Sequence, residues 1–178
     1  MHYRIVKDFP TAQLCHRLDL GTSGLIIIGL NKESIKRINK QFELRSIKKT
    51  YEAVLMGNIA VDEGVLEYPI AKGEFPLQKI CEQLGKKSQS HFEVIKRTKS
   101  IVGNIDVTQV IFRPKTGRTH QLRVHAQAFG HSILGDDLYG DTKCQNASNR
   151  LMLNAYSIEF VHPTKLIPMV FKASTILN

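Results

Sequence analysis

The sequence predicts an α+β fold: a single domain with a mixed, mostly antiparallel sheet and flanking helices. Its 178 residues are enough for one domain with a real core, and no repeat, low-complexity tract or linker divides them. Several short segments have the pattern of strands, whereas only two segments have clear helical spacing. Because the helices are few and do not alternate with the strands, the pattern favours a mostly antiparallel or mixed sheet.

The first elements predicted are a tight turn, a strand and a helix. Glycine and hydroxyl residues at positions 21–24 are typical of a turn, and the apolar run 25–30 is predicted to be a buried strand. Asn31 has a side chain suited to cap a helix. The apolar residues within 32–45 recur at helical spacing, which predicts a helix over this range.

The remaining strands are predicted mainly from alternation. They cover residues 50–56, 64–70, 91–97, 106–113, 154–161 and 167–172. In the first of these strands, alternation places Tyr51, Ala53 and Leu55 on one side. A turn around Gly117 leads into a second helix, which is predicted over 119–129 and ends at a glycine.

Charge is the clearest feature of the composition. The chain has 25 Lys and Arg residues against 16 Asp and Glu, and residues 1–50 alone hold ten basic and four acidic side chains. The resulting net charge of +9 fits a polyanionic partner such as RNA. A generic basic protein or a solvated helix face would carry the same charge, so charge alone does not choose between these interpretations.

Other protein classes are disfavoured by what the sequence lacks. Three widely spaced cysteines, Cys15, Cys81 and Cys144, form no CxxC pair, so neither a zinc site nor a disulfide scaffold is predicted. No apolar run approaches the ~20 residues of a membrane span, and no N-terminal secretory pattern is present. We therefore predict a reduced, cytoplasmic protein without a metal or membrane partner, and a monomer by default.

Asp19 is the first candidate functional residue. It follows His16 and Arg17 and precedes the glycine-containing turn, just before the apolar run. A carboxylate beside an arginine at the mouth of a buried strand is a candidate nucleophile or base. The alternative is a surface aspartate in a turn that forms an ion pair with Arg17.

Three blocks resemble the signatures of the RluA family of pseudouridine synthases. HRLDLGTSGL (16–25) is similar to the family's HRLD-x-x-TSG motif, and TGRTHQLRVHAQAFGHSILGDDLYG (116–140) is similar to its TGR-[ST]-HQ motif. KKTYEAVLMG (48–57) resembles the K-x-Y strand that lies between them. Segments 4–19 and 76–95 look most like the RluA subgroup, whose members modify both a tRNA anticodon stem-loop and 23S ribosomal RNA.

This resemblance implies an RNA isomerase that converts specific uridines to pseudouridine and needs no cofactor. The family fold places the catalytic cleft across a long bent sheet, and the target base must be flipped out of its stack. Asp19 would be the catalytic aspartate. Arg123 would pair with Asp19 and keep it ionised, and Tyr51 would hold the uracil ring and reach the C5 proton with its hydroxyl.

The resemblance also implies a set of RNA-binding residues. Arg17 would help displace the target nucleotide and fill its place, and Arg118 would bind a phosphate at a helix start. The full set comprises His16, Arg17, Thr22, Arg118, His120 and Gln121. Lys36, Arg37, Lys40 and Arg45 could also follow the RNA backbone, although solvation is the simpler interpretation for any one of them.

The sequence departs from the family pattern at its start. A segment of the type D-D-x-x-x-V-V-x-K-P-x-G normally precedes HRLD by some forty residues and is not present here. We expect either a fragment or a shortened natural form, in both cases without an S4-like domain. A non-catalytic RNA-binding or assembly protein of the same fold is the alternative function. A hydrolytic nuclease is disfavoured because no metal-binding carboxylate cluster accompanies Asp19.

Overall fold

A seven-stranded sheet organises the structure, which is a computed structural model that describes residues 2–100 and 102–177. The described residues form four helices and eleven strands. The helices are α1 (His2–Asp8), α2 (Lys32–Glu43), α3 (Gln121–Ala128) and α4 (Thr142–Asn146). The strands are β1 (Gln13–Leu14), β2 (Ser23–Gly24), β3 (Ile28–Gly29), β4 (Lys48–Met56), β5 (Glu63–Leu66), β6 (Ile70–Lys72), β7 (Gln78–Ile80), β8 (Ser90–Lys99), β9 (Asp106–Pro114), β10 (Leu153–Val161) and β11 (Pro168–Lys172).

The sheet is mixed and mostly antiparallel, which confirms the predicted fold class. Its strands lie in the order β11-β10-β4-β9-β8-β5 with antiparallel neighbours, and the short strand β2 pairs in parallel with β10. The register shifts between Ala155 and Ser157 in β10 and between Val94 and Lys96 in β8. Such bulges bend a strand and increase its twist, so the sheet curves at two places.

The core lies on both faces of the central strand β4. Ala53 and Leu55 belong to one buried cluster, which Tyr51 packs against as alternation predicts, whereas Val54 belongs to a second cluster. Helix α3 covers the first face, because Leu122 and the fully buried Ala126 join the same cluster. This packing fixes the start of α3 above β4, where the candidate site lies.

Two predicted elements are shorter in the structure. Of the run 25–30, only Ile28–Gly29 forms a strand, because the Leu25 amide donates to Ala155 of β10 and the Ile27 amide donates to the His16 ring, so neither amide bonds to β1. Helix α2 ends at Glu43 rather than at residue 45. A Schellman turn terminates it, in which Ser46 N–H donates to Gln41 and Arg45 N–H donates to Phe42.

The remaining differences also have local causes. The predicted strand 64–70 divides into β5 and β6 because Pro69 has no N–H to donate. Helix α3 starts at Gln121 rather than at residue 119, after His120 adopts a left-handed φ of 55°. No prediction covered α1 or α4, which have seven and five residues. Within the described residues, no helix combines the length and the apolarity needed to cross a bilayer.

Candidate active site

A cleft of about 410 Å³ opens above β4, between the loop before β2 and the turn before α3. It brings together seven of the nine predicted site residues, which the sequence places in three distant segments. They are His16, Arg17, Asp19, Thr22, Tyr51, Arg118 and Gln121. Asp19 is the one carboxylate among the residues that line the cleft. Arg123 and His120 are not part of this lining.

The loop that carries Asp19 is fixed to the sheet by its following residues. The Thr22 amide donates to the Asp19 carbonyl at 3.0 Å, which closes the turn. Ser23 then donates its hydroxyl to Asn154 of β10 at 2.7 Å. Gly24 has a φ of 107°, and a Cβ there would lie 2.3 Å from the Ala155 carbonyl oxygen, so the close approach requires glycine. The pairing of β2 with β10 therefore holds Asp19 in place.

Tyr51 is next to Asp19 and is affected by its charge. Burial, together with the negative charge of Asp19, raises the pKa of Tyr51 to about 12. The phenol therefore keeps its proton at neutral pH. Its ring forms part of the cleft wall, where it offers an apolar surface to a planar base.

The predicted ion pair between Arg123 and Asp19 is wrong: within the described residues, Arg123 forms its ion pairs with Asp136 and Asp137. Its Nε donates to Asp136 at 2.9 Å and its Nη2 at 2.6 Å, and Nη2 also donates to Asp137 at 2.8 Å. Asp136 is fully buried and also accepts the amides of Leu138 and Tyr139, so its charge needs a fixed cation. Asp19 is only partly buried and has less need of a paired cation.

Arg123 lies beneath the cleft. Its interaction with Asp19 is electrostatic and does not involve a hydrogen bond. Burial opposes the charge of Arg123, but its hydrogen bond to Asp136 and the charges of Asp136, Asp137 and Asp19 outweigh that effect and raise its pKa. The guanidinium is therefore permanently charged. Its positive charge lies close enough to Asp19 for the two opposite charges to attract each other.

His120 and Gln121 are held by protein partners. His120 contacts the Tyr139 hydroxyl through Nδ1 at 2.7 Å, and burial lowers its pKa although the charge of Asp19 acts in the opposite direction. Gln121 accepts from the amide of Arg118 at 3.0 Å and donates to Ser90 at 2.9 Å. Both residues therefore shape the turn that presents Arg118.

Three residues on the Asp19 side of the cleft differ in how they are held. His16 accepts the Ile27 amide at Nε2, at 2.9 Å, which requires an unprotonated nitrogen. Arg17 is exposed and forms no ion pair within the described residues, so the alternative of a surface pair with Asp19 is not observed. The buried Thr22 hydroxyl has no hydrogen-bond partner in the structure and lines the cleft.

Lys49 is a cleft residue that the sequence analysis did not single out. It lines the cleft beside Tyr51, and burial lowers its pKa. Within the described residues it forms no ion pair. Its position two residues before Tyr51 in the K-x-Y pattern was the available signal.

We expect the free energy of unfolding to fall as the pH drops below about 6.5. Burial lowers the pKa of His16, His120 and His125 in the folded state, so the unfolded chain binds more protons in this range. The stabilisation is therefore complete above the unfolded pKa and is lost as the pH falls. Melting temperatures measured from pH 7.5 to 5.5 should decrease, and a constant or rising value would contradict the assignment of neutral histidines.

Within residues 2–100 and 102–177, no group of three or more His, Cys, Asp or Glu side chains could hold a metal ion, and the three cysteines are free. The chemistry available in the cleft is that of one carboxylate, a protonated phenol and several cations. This combination suits proton transfer or nucleophilic attack on an anionic substrate.

Comparisons with known proteins agree with this arrangement. The sequence profile of RNA pseudouridylate synthase matches residues 7–128. Dual-specificity RNA pseudouridine synthase RluA of Yersinia pestis is 41% identical over 171 residues, which cover 95% of this chain and 81% of that protein. The protein of the same name from Escherichia coli strain K12 is 37% identical over 172 residues, which cover 96% of this chain and 76% of that protein.

A solved structure has the same fold. Human RNA Pseudouridylate Synthase Domain Containing 1 superimposes with a TM-score of 0.84 at 29% identity, covering 97% of this chain and 72% of that one. The sequence matches extend over most of the chain and confirm the family resemblance stated above. The chain therefore belongs to the RNA pseudouridylate synthase family, and it is an isomerase that forms pseudouridine in RNA.

Proposed function

We propose that this pseudouridine synthase modifies uridines in both 23S ribosomal RNA and a tRNA anticodon stem-loop, with Asp19 as its catalytic carboxylate. The observation that carries the assignment of Asp19 is its position as the one carboxylate lining the cleft, beside Tyr51. Support for two RNA substrates comes from the relatives in Yersinia pestis and Escherichia coli, whose names describe dual specificity. We also propose a monomeric, cytoplasmic enzyme, as the sequence predicts.

The reaction needs little more than a carboxylate and a way to hold the base. The bond between uracil N1 and ribose C1′ breaks, C5 bonds to C1′ after the base turns, and the C5 proton is released while N1 gains one. No electron is gained or lost. Asp19 either attacks C1′ or removes a sugar proton to give a glycal, and both routes start from the ionised carboxylate.

Tyr51 would serve mainly as the surface on which the uracil rests. Its pKa of about 12 keeps the hydroxyl protonated at neutral pH, which favours holding the base over accepting the C5 proton. Arg17, exposed and without an ion pair in the described part of the chain, would enter the space left by the flipped nucleotide. Arg118 would contact a phosphate, and the unpartnered Thr22 hydroxyl is available to the ribose or the base.

Tritium release tests both RNA assignments directly. We expect the wild-type chain to release tritium from [5-³H]uridine in an unmodified anticodon stem-loop and in a 23S ribosomal RNA fragment. A heat-inactivated sample is the control. Release from only one RNA would contradict the dual specificity, and binding of RNA without release from either would contradict turnover by this chain.

A further inference from the structure

A second groove of about 260 Å³ adjoins the cleft and leads away from Asp19 along the end of α2. It shares Phe42, Lys49 and the turn at Arg118 with the cleft, and it adds Arg45 and Lys115. Four of its lining side chains are therefore cations, and no carboxylate lines it. We propose that this groove binds the sugar–phosphate backbone of the RNA strand next to the target uridine, an inference that rests on the proposed function.

The four groove cations differ from Arg37 and Lys40 of α2 in having no carboxylate partner in the part of the chain that the structure describes, although Arg118 donates to the backbone carbonyl of Lys87. On α2, Arg37 pairs with Glu33 at 2.5 Å and Lys40 pairs with Glu43 at 3.1 Å. Within the described residues, no such ion pair includes a cation of the groove. The charges of Arg37 and Lys40 are therefore compensated by neighbouring carboxylates, whereas the charges in the groove have no such compensation from any described residue and attract phosphates.

Arg45 occupies a position where glycine is usual. It is the first residue beyond the α2 cap in the Schellman turn, with a left-handed φ of 56°. A side chain with a Cβ is disfavoured in this conformation. The chain nevertheless has an arginine there, and that arginine lines the groove. A role in binding explains why a long cation occupies a strained position.

Lys49 and Phe42 connect the groove to the cleft. The half-buried Lys49 ammonium lies near the Gly117 turn. Burial lowers the pKa of Lys49 because it disfavours the charged form, and a bound phosphate would offset this loss of solvation. The Phe42 ring packs beside the His16 ring at a centroid distance of 5.0 Å and lines both spaces. An aromatic ring between two phosphate positions suits stacking of the adjacent base.

Matched double variants test the groove. Arg45→Gln with Lys115→Gln removes two groove charges. Arg37→Gln with Lys40→Gln removes the same charge from exposed positions on α2 outside the groove. Affinity for an unmodified anticodon stem-loop is measured by fluorescence anisotropy from 50 to 300 mM salt. We expect the log–log salt slope of the groove variant to be shallower by about 1.4, which corresponds to two single-strand phosphates. The control should keep the wild-type slope.

An equal change in both double variants, or no change in either, would overturn the proposal, because binding would then follow net charge alone or would not involve the groove. Tritium release by the wild-type chain is measured separately. Release with no slope difference between the variants would reject the groove and leave the proposed function standing. A slope difference without release would keep the groove as an RNA site and reject the proposed function.

Arg45→Gly separates binding from folding. Glycine relieves the left-handed strain, so the melting temperature should not fall, while affinity for the stem-loop at low salt should decrease about tenfold through the loss of one charged hydrogen bond. Unchanged affinity, or a lower melting temperature together with the weaker binding, would show that Arg45 serves the helix end and would count against the groove.

Discussion

Asp19→Asn is expected to reduce pseudouridine formation by on the order of 10²- to 10⁴-fold, the contribution typical of a positioned catalytic group. The substitution keeps the shape of the side chain and removes the one carboxylate that lines the cleft. RNA affinity should change by only a few-fold, because phosphate contacts dominate binding. The free energy of unfolding should change little, since Asp19 is only partly buried and forms no ion pair among the described residues.

Asp62→Asn is the matched control for the loss of one negative charge. Asp62 is an exposed carboxylate that pairs with Arg97 at the sheet edge and does not line the cleft. Product is quantified by mass spectrometry of digested RNA after single-turnover incubation. Normal product formation by the Asp19 variant would contradict the assignment of Asp19 as the catalytic carboxylate.

Arg123→Met is expected to lower the free energy of unfolding by about 3–5 kcal/mol, because it leaves the Asp136 carboxylate buried without a cation. The side chains of both partners are at most 2% exposed, so water cannot replace the missing charge. Activity should fall as well, since Asp19 loses the positive field beneath it. Chemical denaturation gives the stability, and tritium release gives the activity.

Arg113→Met provides the comparison with a surface pair. Arg113 lies 2.8 Å from Glu93, and both side chains are about half-exposed, so the loss should stay below about 1 kcal/mol. If Arg123→Met were as mild as Arg113→Met, the buried pair with Asp136 would contribute nothing to stability.

The long elements could be predicted from sequence because each has a clear period. Strand β4 alternates over nine residues, and α2 presents an apolar face that packs through Ile38. The short pairs β1–β3 and β6–β7 have two or three residues per strand, too few for any period to show. The predicted strand does not form over residues 25–27, because the amides there donate to a histidine ring and to a carbonyl of β10.

The sequence motifs identified residues of the candidate site, but they did not identify the partners that those residues contact. Asp19 and Tyr51 line the same cleft. The carboxylate that forms the ion pair with Arg123 is instead the one that is buried beside it, Asp136. Sequence spacing does not encode that burial. In the sequence, Lys49 and Arg45 could not be distinguished from solvated surface cations. Their shared groove becomes visible only when α2 and the turn at Arg118 are placed together.

The pairing of β2 with β10 has a consequence for how the enzyme is made. Ser23 bonds Asn154, which follows it by 131 residues, and Leu25 bonds Ala155. The segment that carries Asp19 is synthesised before its anchor, which follows it by more than a hundred residues. The catalytic loop therefore cannot be completed on the nascent chain until β10 has been released. Activity would thus appear only after β10 has paired with β2, and a truncation before residue 153 would yield an inactive product.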